Sequence, residues 1–357
     1  NQLEGRELGR GVGTNPALPQ ALVLDSAVTL AGSPERINVT RFEHQLADDA
    51  RTPVLQTRLN GPLQFATDDA WSVLDSARSL GAVDLLGLPL DWFNGLLGDL
   101  NVQHGVLRGG LEFAAEPERR LAVVSVEPFT TGEFNVRQGE RELAHALSFD
   151  AAPSGTLAQG EASARLEGLS LKAGRAELLA GSTGVRQSLD ADTHPQLALD
   201  LRADLNGVAA LPAVAANLGS RSLPGGLSSD VRGKVSLLPS AVQVDALAMD
   251  LRQTQAPKLL NASSRQVFSI QLNPSRKPAL RQVAGTLARV SLRGLDLQWL
   301  SLFAGGRTLQ GALAEAEFEL RADAAGRYSL VSVAPVQVRG LGVREGGKPL
   351  LEALDIT

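Results

Sequence analysis

Residues 88–100 read LPLDWFNGLLGDL and residues 295–307 read LDLQWLSLFAGGR, and each stretch opens one copy of an internal repeat. Shifted by 207 positions, Leu88–Asp150 falls without a gap on Leu295–Thr357, with roughly 18 identities in 63 pairs. Most other apolar positions exchange one apolar residue for another. Agreement over this length indicates a duplicated structural unit, and a duplicated unit predicts an array.

Composition limits the classes of function. The chain has 357 residues and is 43% hydrophobic, which is enough for two ordinary domains or one elongated array. Its formal charge of -5 lacks the basic footprint of a nucleic-acid-binding protein. There is no cysteine, so the fold depends on no disulfide or thiolate, and an oxidising compartment is permitted. No apolar run approaches 18 residues and the first residue is Asn, so we expect any signal peptide or membrane anchor to lie outside this chain.

Alternation of apolar and polar residues predicts a mainly β fold, an elongated antiparallel repeat array with a few short helices. Leu197, Leu199 and Leu201 alternate cleanly with polar or small residues. Strands of four to eight residues joined by short turns are typical of an antiparallel meander. Gly168 and a slip in the alternation near Ala246 each predict a β-bulge. Short helices are predicted at residues 69–80, 89–97, 207–218 and 296–304.

These patterns divide the chain into segments of one continuous elongated module. The segments are an irregular lead-in at 1–20, a degenerate β-repeat with a short helix at 21–87, β-repeat units at 88–194 and 195–294, and a truncated unit at 295–357. The last copy stops at a position equivalent to Asp150, after which the first copy continues. We therefore expect the final strand to present an unpaired edge.

The recurrent layout resembles the AsmA-like superfamily, which includes TamB-type and YhdP-type proteins. A Gly-Leu-x-Leu entry recurs at Gly87–Leu90, Gly168–Leu171 and Gly294–Leu297, followed in the strong copies by a short helix and strands such as Gly105–Phe113. The resemblance covers most of the chain. It implies a long antiparallel sheet curled into an open groove in the periplasm of a diderm bacterium, anchored in the inner membrane by a segment outside this chain.

The same resemblance implies that the groove carries phospholipid between the two membranes and so supports outer-membrane biogenesis. Phospholipid or another acyl-chain lipid is then the expected ligand, with periplasmic or outer-membrane proteins as candidate partners. No catalytic residue, cofactor or metal comes with the resemblance, and the chain is expected not to be an enzyme. The alternative from the residues alone is an exported structural or adhesive β-scaffold with a closed core and no lipid cargo.

A lipid groove requires an apolar side on successive strands, with polar residues on the other side. The candidates for that apolar side are Leu111, Phe113, Val124, Val126, Leu199, Leu201, Phe318, Leu320, Val331 and Val333. Glu112, Glu319 and Ser332 are expected on the opposite side. The competing interpretation is that these side chains fill a core under the short helices.

Other candidate sites have less support in the sequence. The four histidines lie about 40 to 60 positions apart without a metal-ligand motif. Glu43 and His44, with Asp48 and Asp49 nearby, could imitate an acid–base pair, but a solvated loop is favoured. Trp92 and Trp299 occupy equivalent positions, and packing of each short helix on the sheet is their favoured role.

Overall fold

The computed structural model describes most of the chain. The described residues are 2–4, 22–33, 36–48, 50–66, 72–73, 78–116, 120–158, 160–189, 193–218, 223, 225–254, 258–271, 279–280, 284–323 and 327–357. They form two compact units, the first comprising residues 1–191 with 211–214 and the second residues 192–210 with 215–357. Each unit is an antiparallel sheet with a few short helices, as the alternation predicts.

The first unit contains the strands up to Ser188. They are β1 (Gln2–Glu4), β2 (Val23–Ser33), β3 (Arg36–Ala47), β4 (Pro53–Leu59), β5 (Leu63–Ala66), β6 (Ser72–Val73), β7 (Arg78–Pro89), β8 (Leu100–Gln103), β9 (Val106–Glu116), β10 (Arg120–Thr131), β11 (Phe134–Gln138), β12 (Arg141–Ala158), β13 (Glu161–Ala173) and β14 (Ala176–Ser188). Strands β1 to β3 pair in sequence, and β4 and β5 lie end to end along β3. The sheet continues through β7, β9, β10, β12, β13 and β14, while β8 and β11 extend it along the first half of β12.

The second unit repeats this layout. Its strands are β15 (Gln196–Asp204), β16 (Leu227–Leu238), β17 (Ala241–Gln253), β18 (Lys258–Ser264), β19 (Phe268–Gln271), β20 (Ala279–Leu280), β21 (Gly285–Asp296), β22 (Arg307–Ala322), β23 (Tyr328–Ser332), β24 (Gln337–Glu345) and β25 (Lys348–Ile356). The order runs β15, β16, β17, then β18 beside β19, then β21, β22, β23 beside β24, and β25. Neither sheet closes on itself among the described strands.

The repeat extends further upstream in structure than in sequence. Strands β2, β3, β4 and β7 have the same neighbours as β16, β17, β18 and β21, although their residues show little identity. Ladder pairs coincide as well: Leu111 pairs with Ser125, and Phe318, 207 positions later, pairs with Ser332. The duplication therefore preserves register, which places each side chain on a face of the sheet.

Two β-bulges with an apolar extra residue recur in the two units, and a third of this kind occurs in the first unit. The extra residue is Val54 between β3 and β4, Leu80 between β7 and β9, Leu178 between β13 and β14, Leu259 between β17 and β18, and Leu287 between β21 and β22. All five side chains are buried. Leu178 and Leu287 are the large side chains with the least exposure among the described residues. Bulges bend and twist a strand, so each bend is stabilised by an apolar side chain.

The predicted bulges at Gly168 and near Ala246 are confirmed. The β13–β14 register shifts between Leu166 and Leu169, and Gly168 has a φ of 58°. The β16–β17 register shifts where Asp245 is the extra residue. Strands are longer than the predicted four to eight residues, since Gly109 and Gly110 lie inside β9 and do not end it.

Short helices form at three of the four predicted places. The segments Leu90–Leu96 and Leu297–Phe303 are 3₁₀ helices, and residues 205–218 form two α-helices, Leu205–Ala210 and Pro212–Leu218, divided just before the proline. In the repeat, Asn94 Oδ1 accepts a hydrogen bond from Val102 N at 2.7 Å, and Ser301 Oγ accepts one from Leu309 N at 2.7 Å. These equivalent contacts hold each 3₁₀ helix on the strand that follows.

Two predictions near the start of the chain are wrong where the structure describes them. Within the predicted helix at 69–80, residues 72–73 form a strand paired with β5, and the residues from Arg78 onward form a strand paired with β4 and β9. This strand pairing overrides the helical spacing of the apolar residues. Its other residues lie outside the described part. Within the lead-in at 1–20, Gln2–Glu4 form a strand paired with β2, and the remaining residues are also outside the described part.

Candidate functional site: an apolar sheet face

Register divides each sheet into two chemically different faces. Directly paired residues of an antiparallel ladder project to the same side, and alternate residues along a strand do likewise. We define the apolar face as the side that carries Leu111 and Phe113 in the first unit and Phe318 and Leu320 in the second. The opposite side is the charged face.

The apolar face of the second unit can be followed strand by strand. Its central row, one residue from each neighbouring strand, consists of Leu201, Val231, Met249, Ala262, Val290, Phe318 and Ser332. A parallel row lies two residues away along each strand. It contains Leu199 of β15, Ala288 of β21, Leu320 of β22 and Leu330 of β23. Neither row contains an acidic or basic residue.

The charged face of the same unit carries its ion pairs. They join Arg232 to Asp200, Arg252 to Asp230 and Asp250, Lys258 to Asp250, Arg289 to Glu317, Arg293 to Glu315 and Arg321 to Glu319. Two hydrogen bonds from Arg289, at 2.9 and 2.6 Å, hold the pKa of Glu317 below its usual value. Burial by itself raises the pKa of Asp250, but hydrogen bonds from Lys258 and Asn261, each 2.7 Å, outweigh it and the net pKa is lowered.

The first unit shows the same division of chemistry. A row on its apolar face runs through Leu59, Gly81, Phe113, Val123, Gly155, Ala164 and Val185. On the charged face, Arg58 forms an ion pair with Asp84, and Arg186 forms one with Glu161 at 2.8 Å. Charge is thus confined to one side of the sheet in both copies along the rows named here.

The apolar face is only partly covered. Phe113, Val123, Leu199 and Leu201 are half-buried. Val28, Phe42, Leu157, Val185, Leu247 and Leu330, which register or alternation places on the same face, are exposed. Exposed apolar side chains grouped on one side of a sheet mark a candidate binding surface.

The ten residues predicted to line a groove divide between the two faces. Leu111, Phe113, Leu199, Leu201, Phe318 and Leu320 lie on the apolar face. Val124, Val126 and Val331 do not share that face with them, and Val333 lies just outside the ladder.

Register explains the correction for the valines. Val124 pairs with Glu112 and Val331 with Glu319, so both valines lie on the charged face. Val126 occupies a bulge beside Gly110 and Asp84 and is also on that side. Val333 follows the last residue of β23, so the register assigns it to neither face. The residue opposite Leu111 is Ser125, not a valine. The alternation pattern of one strand does not show which residue of the neighbouring strand pairs with each of its residues.

Part of the apolar face in the second unit is covered by the 3₁₀ helix. Leu295, Leu297, Leu313 and Ala316 form a buried cluster, against which Trp299, Leu309 and Phe318 pack among others. The predicted role of Trp299 as an anchor of its helix agrees with this packing. Phe318 therefore lies where the packed cluster meets the open part of the face.

The central row of the first unit contains a polar interruption that the second unit lacks. Register places Ser26, His44 and Thr57 side by side, before Val83 and Leu111 continue the row. We call Ser26, His44 and Thr57 the polar triplet. The His44 ring contacts Phe42 edge-on, with centroids 4.2 Å apart. Thr57 Oγ1 is buried and has no hydrogen-bond partner among the described residues, a condition that typically costs about 1–3 kcal/mol.

The other predicted sites do not assemble. Glu43 and His44 are consecutive on β3, not in a loop, so their side chains project to opposite faces, and Glu43 is paired with Arg41 at 2.8 Å. A shallow depression of about 280 Å³ lies nearby, lined largely by charged-face residues such as Asp25, Arg41 and Gln56. Among the described residues there is no cluster of three or more His, Asp or Glu suited to a metal. No helix in that part of the chain is both long and apolar enough to cross a membrane.

Comparison with known proteins adds no relative to this description. No protein-family model matches the sequence, and no curated protein and no solved structure matches it.

Proposed function

We propose that the apolar face of each unit binds the acyl chains of lipids and lets them slide across successive strands. The observation that carries the proposal is the central row of the second unit, which remains apolar from Leu201 to Phe318 while every ion pair named above lies on the other face. An exported scaffold with a closed core has no need to leave such a face uncovered.

The dimensions of the row suit an extended hydrocarbon chain. From β15 to β22 the row crosses five intervals between neighbouring strands, which at about 4.8 Å each gives roughly 24 Å. Burial of an apolar chain contributes about 0.8 kcal/mol for each methylene removed from water. A partly covered row of Leu, Val, Met and Ala therefore supplies enough contact to hold one chain.

The character of the surface supports movement as well as binding. The row has no charged residue, and its side chains are mostly aliphatic. Dispersion contacts are individually weak, so a chain that moves by one strand exchanges one set of contacts for a similar set. We infer a conducting surface with many equivalent positions, in which no single residue is essential.

We further propose the setting implied by the resemblance to AsmA-like proteins: the periplasm, with phospholipid passing between inner and outer membranes. The lack of cysteine is compatible with an oxidising compartment. Attachment to the inner membrane by a segment outside this chain and contact with periplasmic or outer-membrane proteins belong to the same proposal.

A lipid-transfer assay with two neighbouring variants tests the proposed function. Leu199 lies on the apolar face, whereas Ala198 lies on the charged face directly opposite Lys234. The wild-type chain should retain acyl-chain lipid through purification, as seen by mass spectrometry, and should accelerate movement of fluorescent phospholipid between vesicles. Leu199→Asp should slow that transfer, because it puts a charge in the path of the chain, while Ala198→Asp should not. A wild-type protein that retains no lipid and accelerates no transfer would overturn the proposal in favour of a scaffold.

A further inference from the structure

The central rows of the two apolar faces differ at three consecutive positions. At these positions the first unit has hydrogen-bonding side chains and the second has apolar ones. The second unit has Val231, Met249 and Ala262 where the first has the polar triplet. The correspondence is structural, since Thr57 pairs with Val83 and Ala262 pairs with Val290, its equivalent 207 positions later. The same backbone therefore accepts either set of side chains.

We propose that the polar triplet is the station at which the anionic phosphate group of a lipid is held while its tails lie on the adjoining apolar rows. This inference rests on the proposed function and deepens it by giving the position of the lipid headgroup. Side chains paired directly across neighbouring strands have β-carbons about 4.5–5.5 Å apart. His44 lies between Ser26 and Thr57, one such interval from each, so a phosphate centred on the imidazole can accept hydrogen bonds from the ring and from a neighbouring hydroxyl.

The unpartnered oxygen of Thr57 is the second observation. A buried hydroxyl without a hydrogen-bond partner destabilises a fold unless a ligand or water satisfies it. The second unit avoids that condition by having alanine at the equivalent position, so the fold itself does not require a hydroxyl there. Because Thr57 Oγ1 has almost no accessible surface in this structure, a phosphate oxygen reaches it only when the side chains around it move aside.

The surroundings favour a phosphate that belongs to a lipid. Val83 and Leu111 continue the row on one side, and Leu46 with Leu55 form the next ladder pair along β3 and β4. No acidic residue occurs among the positions of the triplet's row, while the carboxylates Asp25 and Glu43 project from the other face. A headgroup in the triplet therefore has apolar side chains within reach of its tails.

The test compares phosphatidic acid with diacylglycerol of the same acyl composition, which differ only in the phosphate. The full chain is incubated with an equimolar mixture, repurified and analysed by mass spectrometry. We expect about tenfold enrichment of phosphatidic acid on the wild type, the factor that corresponds to about 1.4 kcal/mol. The triple variant Ser26→Val/His44→Met/Thr57→Ala, which copies the second unit, should bind both lipids with the preference lost.

Two further variants keep the outcome interpretable. Thr57→Val preserves shape and should weaken the preference even where the triple variant folds poorly. Gln45→Met changes the charged face of the same strand and should leave the preference intact. Inorganic phosphate, added without lipid at the same concentration, should not bind detectably; binding equal to that of phosphatidic acid would assign the site to free phosphate and overturn the inference.

Failure of the inference is distinguishable from failure of the proposed function. Retention of both lipids in equal amounts by the wild type, or an unchanged preference in the triple variant and in Thr57→Val, would overturn the headgroup station and leave acyl-chain binding in place. A wild type that retains neither lipid would remove both.

Discussion

The two units share a strand order and several bulges over their equivalent strands, yet the first carries Ser26, His44 and Thr57 where the second carries Val231, Met249 and Ala262. Since one backbone tolerates both sets, the fold does not dictate the chemistry at these positions. The charged face shows no such division, because both units have ion pairs there. The difference locates specialisation on the apolar face, which is where the proposed ligand lies.

A second comparison concerns strands β12 and β25, which are copies of each other. Strand β12 pairs on both sides, with β10 and β11 on one and β13 on the other, whereas β25 pairs with β24 among the described residues. As a result Leu147 is 7% exposed and its equivalent Leu354 is 46% exposed. Burial at a repeat position is therefore set by neighbouring strands and not by the residue itself.

The largest loss of stability is expected from truncation of an apolar side chain that is buried at a β-bulge. Leu287 is fully buried at 0% exposure, so Leu287→Ala removes apolar contacts and leaves a cavity. We expect a loss of about 2–5 kcal/mol in the free energy of unfolding, measured by urea denaturation. The matched control is Leu330→Ala, at 62% exposure on the apolar face, with an expected change within about 0.5 kcal/mol. Equal losses in the two variants would contradict the role assigned to the bulge.

The comparison of β12 with β25 gives the next largest effect. Leu147→Ala should destabilise the protein by roughly 2–3 kcal/mol, and Leu354→Ala by less than about 1 kcal/mol, because only the first side chain is removed from water. Thermal unfolding of the two variants under one set of conditions makes the measurement. A larger destabilisation by Leu354→Ala than by Leu147→Ala would contradict the assignment of Leu354 as an exposed residue of β25.

A smaller effect is expected from acidification on the charged face. Asp250 has a pKa lowered from 3.8, so the stabilisation from its ionised form is present above the unfolded-state pKa and is lost as pH falls through the lower native value. The melting temperature of the wild type should therefore decrease from pH 5 towards pH 3 more steeply than that of Asp250→Asn. A steeper decrease in the variant would show that Asp250 has the opposite linkage.

The sequence predicted the repeat, the short helices near Leu90 and Leu297, and the bulge at Gly168, because identity, proline placement and glycine are local signals. It could not assign Val124 and Val331 to a face, since their position depends on pairing with Glu112 and Glu319 across the ladder. The polar triplet was missed for the same reason: Ser26, His44 and Thr57 are far apart in sequence, and only register joins them.

The central claim is that the apolar face is open and binds lipid. Val123 and Val124 test it most directly, because they are consecutive valines on β10 that face opposite sides. Val123→Asp places a charge on the open face, and Val124→Asp places one beside Glu112, where cross-strand repulsion costs less than about 1 kcal/mol.

The decisive measurement is lipid retention by mass spectrometry, together with melting temperature, for Val123→Asp and Val124→Asp. We predict that both variants fold and that only Val123→Asp loses bound lipid, because a desolvated charge against an acyl chain costs several kcal/mol. Unfolding of Val123→Asp alone would show that the face is a closed core, and equal lipid retention by the two variants would show that acyl chains do not bind there.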